Sequence, residues 1–436
     1  MNSEFDVRLG LSYSLGIYLA VNALPDCALV VDGKDCVVQK AIQIRGNHDW
    51  SSTLLSSDGA HRILTTHAMH EEVWKGRDDD VERVLRYTVH REDVTTVMLC
   101  AMRMASVTDP PYDLIVDKVV QDTGTDKPMV LLPTRSMRED WLSGYADTLS
   151  QLAKELELVD SQVDTERPRV AIVGYLMDRN EQDHHANIRE LRRLVEALGA
   201  EVVSVWLCGE PVSHLREAGR AQLVVSLPYA RKAAKTIARR TGAKLVETGL
   251  PMGLEGTSQW LRQIAGALER PDDAERVIEA ELREVAPRLE GVVPMLLVNQ
   301  SMAFAGDPYL MRAFIAFAHE LGVRVPFRMI FAPEDESYHD LLEDTLDDPV
   351  AIVDPREGQS KDAFDKIVAE REVILLVGNT YAIADLKPKI AAYELGFPSF
   401  HRHALTEQPH LGYQGCLSLI ARMTECSLMH RLLHSE

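Results

Sequence analysis

The sequence predicts an α/β protein built of three doubly wound, Rossmann-like domains, with parallel sheets around a central cleft. Three observations carry that expectation. Short β-branched runs alternate with longer amphipathic stretches along most of the 436 residues, the pattern of βα units on parallel sheets. A glycine stands just after successive helical stretches, at Gly199 and Gly242 for instance, where a helix C-terminal stop belongs. The apolar share of 46% and charged share of 26% suit a chain that buries several cores without disulfide or metal staples.

In the N-terminal part, Ala28–Val31, Val94–Leu99 and Met129–Leu132 read as strands, and Asp79–His90 and Asp140–Glu155 as helices. The polar stretch from Asp160 to Pro168 suits a linker, which places the first domain at 1–165. The clearest βα set follows at 166–270. Its strands are Val170–Val173, Glu201–Trp206, Leu223–Ser226 and Lys244–Val246, and its helices Asn187–Leu198, Tyr229–Arg240 and Gly256–Leu268. Ile278, Leu282, Val285 and Leu289 then recur at helical spacing among acidic residues and arginines, an exposed connecting helix at 271–292. The last domain, 293–436, has strands expected at Val293–Val298, Val323–Ile330, Val350–Val353 and Val373–Val377. Its helices are expected at Tyr309–Leu321, Tyr338–Leu346, Lys361–Ala369 and Tyr381–Leu395.

Charge and motifs narrow the function. Lys plus Arg number 47 against 67 Asp plus Glu, a formal charge of −20, and such a surface repels phosphate backbones and anionic membranes. Nucleic acid and membrane are therefore not expected partners. No uninterrupted apolar run approaches the roughly 20 residues that span a bilayer, and Glu4 and Asp6 stand where a signal peptide would be basic. The expected location is the cytoplasm. Six widely spread cysteines make no disulfide scaffold. No G-x-x-x-x-G-K-[ST], no G-x-G-x-x-G after a strand and no G-x-S-x-G is present, so a P-loop, a tightly held dinucleotide and a hydrolase elbow lack support. Three sheets without a cofactor loop need another source of chemistry.

The candidates are histidines and cysteines. His67, His70 and Glu71 stand at i, i+3 and i+4, a spacing that could hold a divalent metal or form a solvated or interface cluster. His401, His403 and His410 lie in a turn-rich segment, either a surface loop or proton donors beside a cavity. Cys27, Cys208, Cys416 and Cys426 sit in apolar contexts that favour core packing. Cys36 differs: it follows the strand Val30-Val31-Asp32 through Gly33-Lys34-Asp35 and opens a helix. A thiol there faces the C-terminal edge of a sheet, where ligands of open α/β folds gather, and a helix N-terminus favours the thiolate that metals require. Cys100 ends the strand Thr95–Leu99 in the same way.

With these residues in place the sequence resembles the subunits of nitrogenase component 1 and its relatives, the catalytic components of dark-operative protochlorophyllide reductase and chlorophyllide reductase. Ala28-Leu-Val-Val-Asp-Gly-Lys-Asp-Cys36 resembles the family's strand, turn and cluster-binding cysteine, closest to the N subunit of protochlorophyllide reductase. Met69-His-Glu-Glu-Val-Trp-Lys-Gly76 and the helix after it resemble the family's acidic segment, glycine and helix. Thr96-Val-Met-Leu-Cys100 resembles the strand bearing the next cluster cysteine. Leu131-Leu-Pro-Thr134 through Gly144-Tyr145 resembles the closing strand and Gly-Tyr helix, and Pro409 through Gly415 the turn that opens the last helix. The departures are specific. The family's most N-terminal cluster cysteine would fall near Leu11, the cysteine anchoring the nitrogenase cofactor near Leu227, and the cofactor histidine near Leu411. Nitrogen reduction and an iron–molybdenum cofactor are therefore not implied.

The resemblance implies a subunit of a two-component reductase. Electrons would come from a separate ATP-dependent iron–sulfur protein like the nitrogenase iron protein. They would pass through a [4Fe–4S] cluster to a small-molecule substrate, a tetrapyrrole or a small sulfur or nitrogen compound. Cys36 and Cys100 are the cluster ligands it implies, with Asp35 as an alternative ligand. A cubane takes four protein ligands and this chain offers two such cysteines, so a homodimer or a sister subunit would complete the set. His401, His403, His410 and Glu71 are the candidate proton donors. Two other readings stand beside this one: a cluster-assembly scaffold of the same family, and a non-redox Rossmann-like binding protein.

Overall fold

The structure is a computed structural model that describes residues 7–68, 77–102, 105, 110–134, 139–160 and 167–434. Its strands form three all-parallel sheets, and the chain divides into two compact units. One comprises residues 12–181 and 201–247, the other residues 1–11, 182–200 and 248–436.

The first unit begins with helix α1 (Tyr13–Asn22) and a sheet made of β1 (Cys27–Asp32), β2 (Ile63–Thr65), β3 (Thr96–Ala101) and β4 (Met129–Leu131). Helices α2 (Cys36–Gln43), α3 (Asp78–Val89) and α4 (Tyr112–Thr123) connect these strands, and α5 (Trp141–Glu155) follows. The strand order is β2-β1-β3-β4, so the winding reverses between β1 and β3. Every residue of β1 is buried, as expected of a central parallel strand covered on both faces. Val30, Leu85, Val97, Leu99 and Val119 form the core on one face.

The unit's second sheet is built of β5 (Arg169–Val173), β6 (Glu201–Val205), β7 (Leu223–Ser226) and β8 (Lys244–Glu247) in the order β6-β5-β7-β8. Helix α6 (Gln182–Ala197), between β5 and β6 in sequence, belongs to the other unit. Helices α7 (Val212–Arg216) and α8 (Arg231–Thr241) complete this set. Helix α8 ends at Gly242, whose φ of 71° is the left-handed stop read from the sequence.

The other unit carries a five-stranded sheet after helices α9 (Gly253–Ala267), α10 (Pro271–Leu289) and α11 (Val292–Leu296). Its elements are β9 (Ser301–Gly306), α12 (Pro308–Glu320), β10 (Arg324–Ile330), β11 (Val350–Val353), α13 (Lys361–Arg371), β12 (Val373–Gly378), α14 (Thr380–Leu386), β13 (Ala391–Glu394) and α15 (Gly412–His434). The strand order is β11-β10-β9-β12-β13, the arrangement of a Rossmann half extended by its neighbours.

Three elements depart from the sequence reading. The strand expected at Val293–Val298 is instead the short helix α11, which contains Pro294, and the strand lies at Ser301–Gly306. Small residues there allow close packing between two neighbouring strands, which a search for β-branched runs passes over. The helix expected across Tyr381–Leu395 stops at Leu386. Lys387 adopts φ 42° and Pro388 follows, and the chain then forms the edge strand β13 against β12. The helix expected over Tyr338–Leu346 is a short 3₁₀ segment, Glu336–Leu341.

Candidate functional site

Cys36 and Cys100 come to the same edge of the first sheet. Cys36 is the first residue of α2, four residues past the end of β1, and is half-buried. Cys100 is the penultimate residue of β3, where it pairs with Val31 of β1, and is buried. β1 and β3 are the strands between which the winding reverses, and the C-terminal side of that reversal is where open α/β sheets bind ligands. The two thiols also share a neighbour. Burial holds the Tyr18 hydroxyl of α1 well above its usual pKa, and Cys100 and then Cys36 add to the rise.

The edge is built around a buried carboxylate. Asp32, 1% exposed, accepts hydrogen bonds from the Tyr112 hydroxyl at 2.7 Å and the Thr66 hydroxyl at 2.7 Å, and the Arg77 guanidinium stands 4.0 Å away. Burial, then Asp32, pushes the Tyr112 hydroxyl far up, so it stays a donor. The turn into α2 is tied to the end of β2. The Gly33 N–H donates to Thr66 Oγ1 at 3.1 Å, and the Gly33 carbonyl accepts from the Thr65 hydroxyl at 2.7 Å. A Cβ on Gly33 would lie 2.3 Å from Met102 Sδ, so a larger residue there would have to displace the Met102 side chain. Asp35, the residue before Cys36, is exposed and its carboxylate meets His67 Nδ1 at 2.5 Å.

The Cys100 thiol is pushed up to about 12 by burial and then by Asp32, against a lowering by Lys40. Cys27, at the opposite end of β1, is buried and also raised to about 12. Cys416 and Cys208 are buried too, but Cys426 is only half-buried and lines a groove. His70 and Glu71 lie outside the described residues.

That groove, 640 Å³ in the unit with the five-stranded sheet, brings together His401 and His403 with Tyr393, Glu394, Arg402 and Arg422. Its walls are β13, the loop after it and the middle of α15. Glu394 accepts from the Thr380 hydroxyl, the Ser399 hydroxyl at 3.0 Å, and the His401 and Phe400 N–H groups at 2.9 and 3.3 Å. Burial raises its pKa, but these four donors outweigh burial and hold it below the ordinary value. Arg402 pairs with the buried Asp183 at 3.2 Å and lies over the Tyr393 ring at 5.3 Å.

His410 is placed differently. Its N–H donates to Asn187 Oδ1 at 2.8 Å, and its ring lies 3.0 Å from Asn187 Nδ2 and packs edge-on against His184. The sequence reading grouped His410 with His401 and His403; the structure sets it in a buried clamp that fixes the start of α15.

Two clusters were missed in the sequence. Asp49 is fully buried and accepts from Asn22 Nδ2 at 2.7 Å and the Asn180 N–H at 2.9 Å, while His48 Nε2 lies 3.2 Å from the Asp178 carbonyl. This network joins the segment after α2 to the loop after β5. Its only signal was polar residues in segments with no assigned element. His319, Asp344 and Asp347 form the other cluster, the one group among the described residues spaced to hold a metal ion. Arg328 already occupies it, donating to Asp344 at 2.8 Å and Asp347 at 2.5 Å, so the cluster is an ion-pair network centred on the buried Arg328 and Asp347. The positions where a nitrogenase cofactor's ligands would fall, Leu227 and Leu411, are buried leucines with no ligand atom.

Comparison with known proteins follows the same line. The sequence profile described as nitrogenase component 1 type oxidoreductase matches residues 13–427. The chain is 25% identical over 267 residues to a nitrogenase molybdenum-iron protein beta chain of Frankia alni, covering 56% of this chain and 49% of that one. It is 20% identical over 338 residues to a beta chain of Methanococcus maripaludis, covering 72% and 71%. It is 28% identical over 217 residues to light-independent protochlorophyllide reductase subunit N of Halorhodospira halophila, covering 48% and 47%. The chain thus spans about half the length of the Frankia and Halorhodospira relatives it matches. A solved structure titled nitrogenase Cp1 at pH 6.5 superposes with TM-score 0.76 at 16% identity, covering 98% of this chain and 94% of that one, which shows the shared fold.

Proposed function

Since the chain belongs to the nitrogenase component 1 type oxidoreductase family, we propose that it is the catalytic-component subunit of a cytoplasmic two-component reductase, with an iron–sulfur cluster held at Cys36 and Cys100. The observation that carries this reading is the placement of both thiols at the winding reversal of the first sheet, beside the same tyrosine. The donor set suits an iron–sulfur cluster: two sulfur ligands, one half-buried and one buried. When bound, a [4Fe–4S] cluster would take and pass on single low-potential electrons.

The chain's own residues do the rest. Cys36, at the exposed start of α2, gives access from solvent, and Cys100 anchors the group in the sheet. Tyr112 and Thr66 hydrogen-bond Asp32 and the Arg77 guanidinium stands 4.0 Å from it, which offsets part of the charge it sets against a nearby anionic cluster. Two thiols per chain need a second copy, or a sister subunit, to make four. Asp35 is the substitute ligand on the same turn. His401 and His403 would supply protons at the groove, and His410 positions the loop that carries them.

Membership of this family points to a separate ATP-hydrolysing iron–sulfur protein as the electron source, and the lack of a phosphate-cradling loop in this sequence fits that division. The test is a reconstituted assay. Anaerobically purified chain should show no ATPase activity, and should be reduced only when an ATP-driven iron protein is added. ATP turnover that stays with the chain through further purification would count against the reading. Reduction of the cluster without any substrate being turned over would favour the scaffold reading.

A further inference from the structure

We propose that the groove formed by β13, the following loop and α15 binds a carboxylate-bearing organic molecule. This deepens the reading above, on which it rests for the groove's role in turnover but not for binding itself. A volume of 640 Å³ falls in the range of pockets that enclose organic ligands, far above what a molecule of two or three atoms fills. The lining divides by chemistry. Ile383, Ala392 and Met429 offer apolar surface, and two guanidiniums, Arg402 and Arg422, supply positive charge. Burial and then Glu425 raise the pKa of the Cys426 thiol while Arg422 and Arg402 pull against them, so both arginines act on the same part of the groove.

The anions already present are committed unequally. Glu394 is saturated by four hydrogen-bond donors and needs no further cation. Arg402 is held by the buried Asp183 and by the Tyr393 face, which fixes its plane before any ligand arrives. Among the described residues Arg422 is held only by Glu425, at 3.3 Å, with the two side chains 39% and 63% exposed. Such a solvated pair is worth little, so a ligand carboxylate can take Glu425's place at small cost. The exchange gains a charge-assisted, bidentate contact, while the ligand's hydrocarbon part covers Met429 and Ile383. A bare inorganic anion gains only the first contribution.

Calorimetric titration with isophthalate tests this, on anaerobic protein as isolated and on protein stripped of iron. Inorganic phosphate and the neutral isophthalamide serve as controls. The expected result is saturable isophthalate binding in both preparations, weakened about tenfold or more by Arg422→Gln and less by Arg422→Lys, with both controls about tenfold or more weaker. Equal binding of isophthalamide or phosphate, unchanged affinity in Arg422→Gln, or no saturable heat with isophthalate would overturn it. Isophthalate binding by a chain that never holds iron would keep the groove and remove the cluster. Iron-replete protein that ignores isophthalate would do the reverse.

Discussion

At Cys100, burial and the neighbouring carboxylate favour the protonated thiol, which keeps its proton up to about pH 12 in the metal-free fold. Iron must displace that proton, so binding releases it and grows stronger as pH rises. Iron and sulfide supplied at fixed concentration should therefore load the chain more fully at pH 9 than at pH 7, as read by iron analysis. Loading that falls over that range would contradict this. The raised thiols also govern alkaline stability. Cys27, Cys100 and Cys416 each rise from 9.0 to about 12 on folding. Their contribution is complete below pH 9, where the unfolded thiols are also protonated, and is lost as pH climbs from 9 towards 12. The urea midpoint of the metal-free chain should fall over that window, and a flat profile would refute the assignment. Exposure sets reactivity in the native metal-free protein: half-buried Cys36 should be alkylated well before Cys100 or Cys27.

Helices α1 and α5 show how an element-scale motif acts. A Cβ on Gly144 would lie 2.0 Å from the Tyr13 carbonyl, and one on Gly16 would lie 1.8 Å from the Trp141 carbonyl. Only glycines let the two backbones cross so closely. Tyr145 then donates its hydroxyl to the Tyr175 carbonyl at 2.8 Å and accepts from the Met177 N–H at 3.1 Å, tying α5 to the loop after β5. Gly144→Ala should cost about 1–3 kcal/mol or more, because backbone and not a flexible side chain must give way. Chemical denaturation measures it. Asp140 caps α5, accepting from the Ser143 N–H at 3.1 Å, and burial outweighs its hydrogen bonds and raises its carboxyl to about 6. A raised acid stabilises the fold while protonated, so its contribution is present below about pH 4 and lost as pH rises through 6. Asp140→Asn, which keeps the cap, should therefore stabilise at pH 7 and have little effect at pH 4. Equal effects at both would show that the cap and not the charge is at issue. Cys36 and Cys100 are legible as strand-end residues because strand ends follow from where apolar runs stop, whereas the Gly-Tyr pair is legible only through the resemblance. The groove is not legible. Tyr393 and Glu394 lie in a strand that the sequence pattern reads as helix. The wall they share with Arg422 is made by chain about thirty residues further on, a tertiary pairing that no local period records.

Across the whole molecule the features are divided: one unit holds the thiols and the other the groove. No helix among the described residues is long and apolar enough to cross a membrane. The net charge of −20 gives a donor protein a strong field to meet, so reduction by an ATP-driven iron protein should depend steeply on ionic strength. A rate unchanged between low and high salt would contradict that. The most direct test of the central claim is iron and sulfide content, with EPR and the absorption near 400 nm, on anaerobically purified chain and its single cysteine variants. The account predicts about four irons for every two chains in the unsubstituted protein, lost in Cys36→Ala and in Cys100→Ala and kept in Cys208→Ala and Cys426→Ala. Full iron in Cys36→Ala, or a colourless, iron-free protein from a strictly anaerobic preparation, would contradict it.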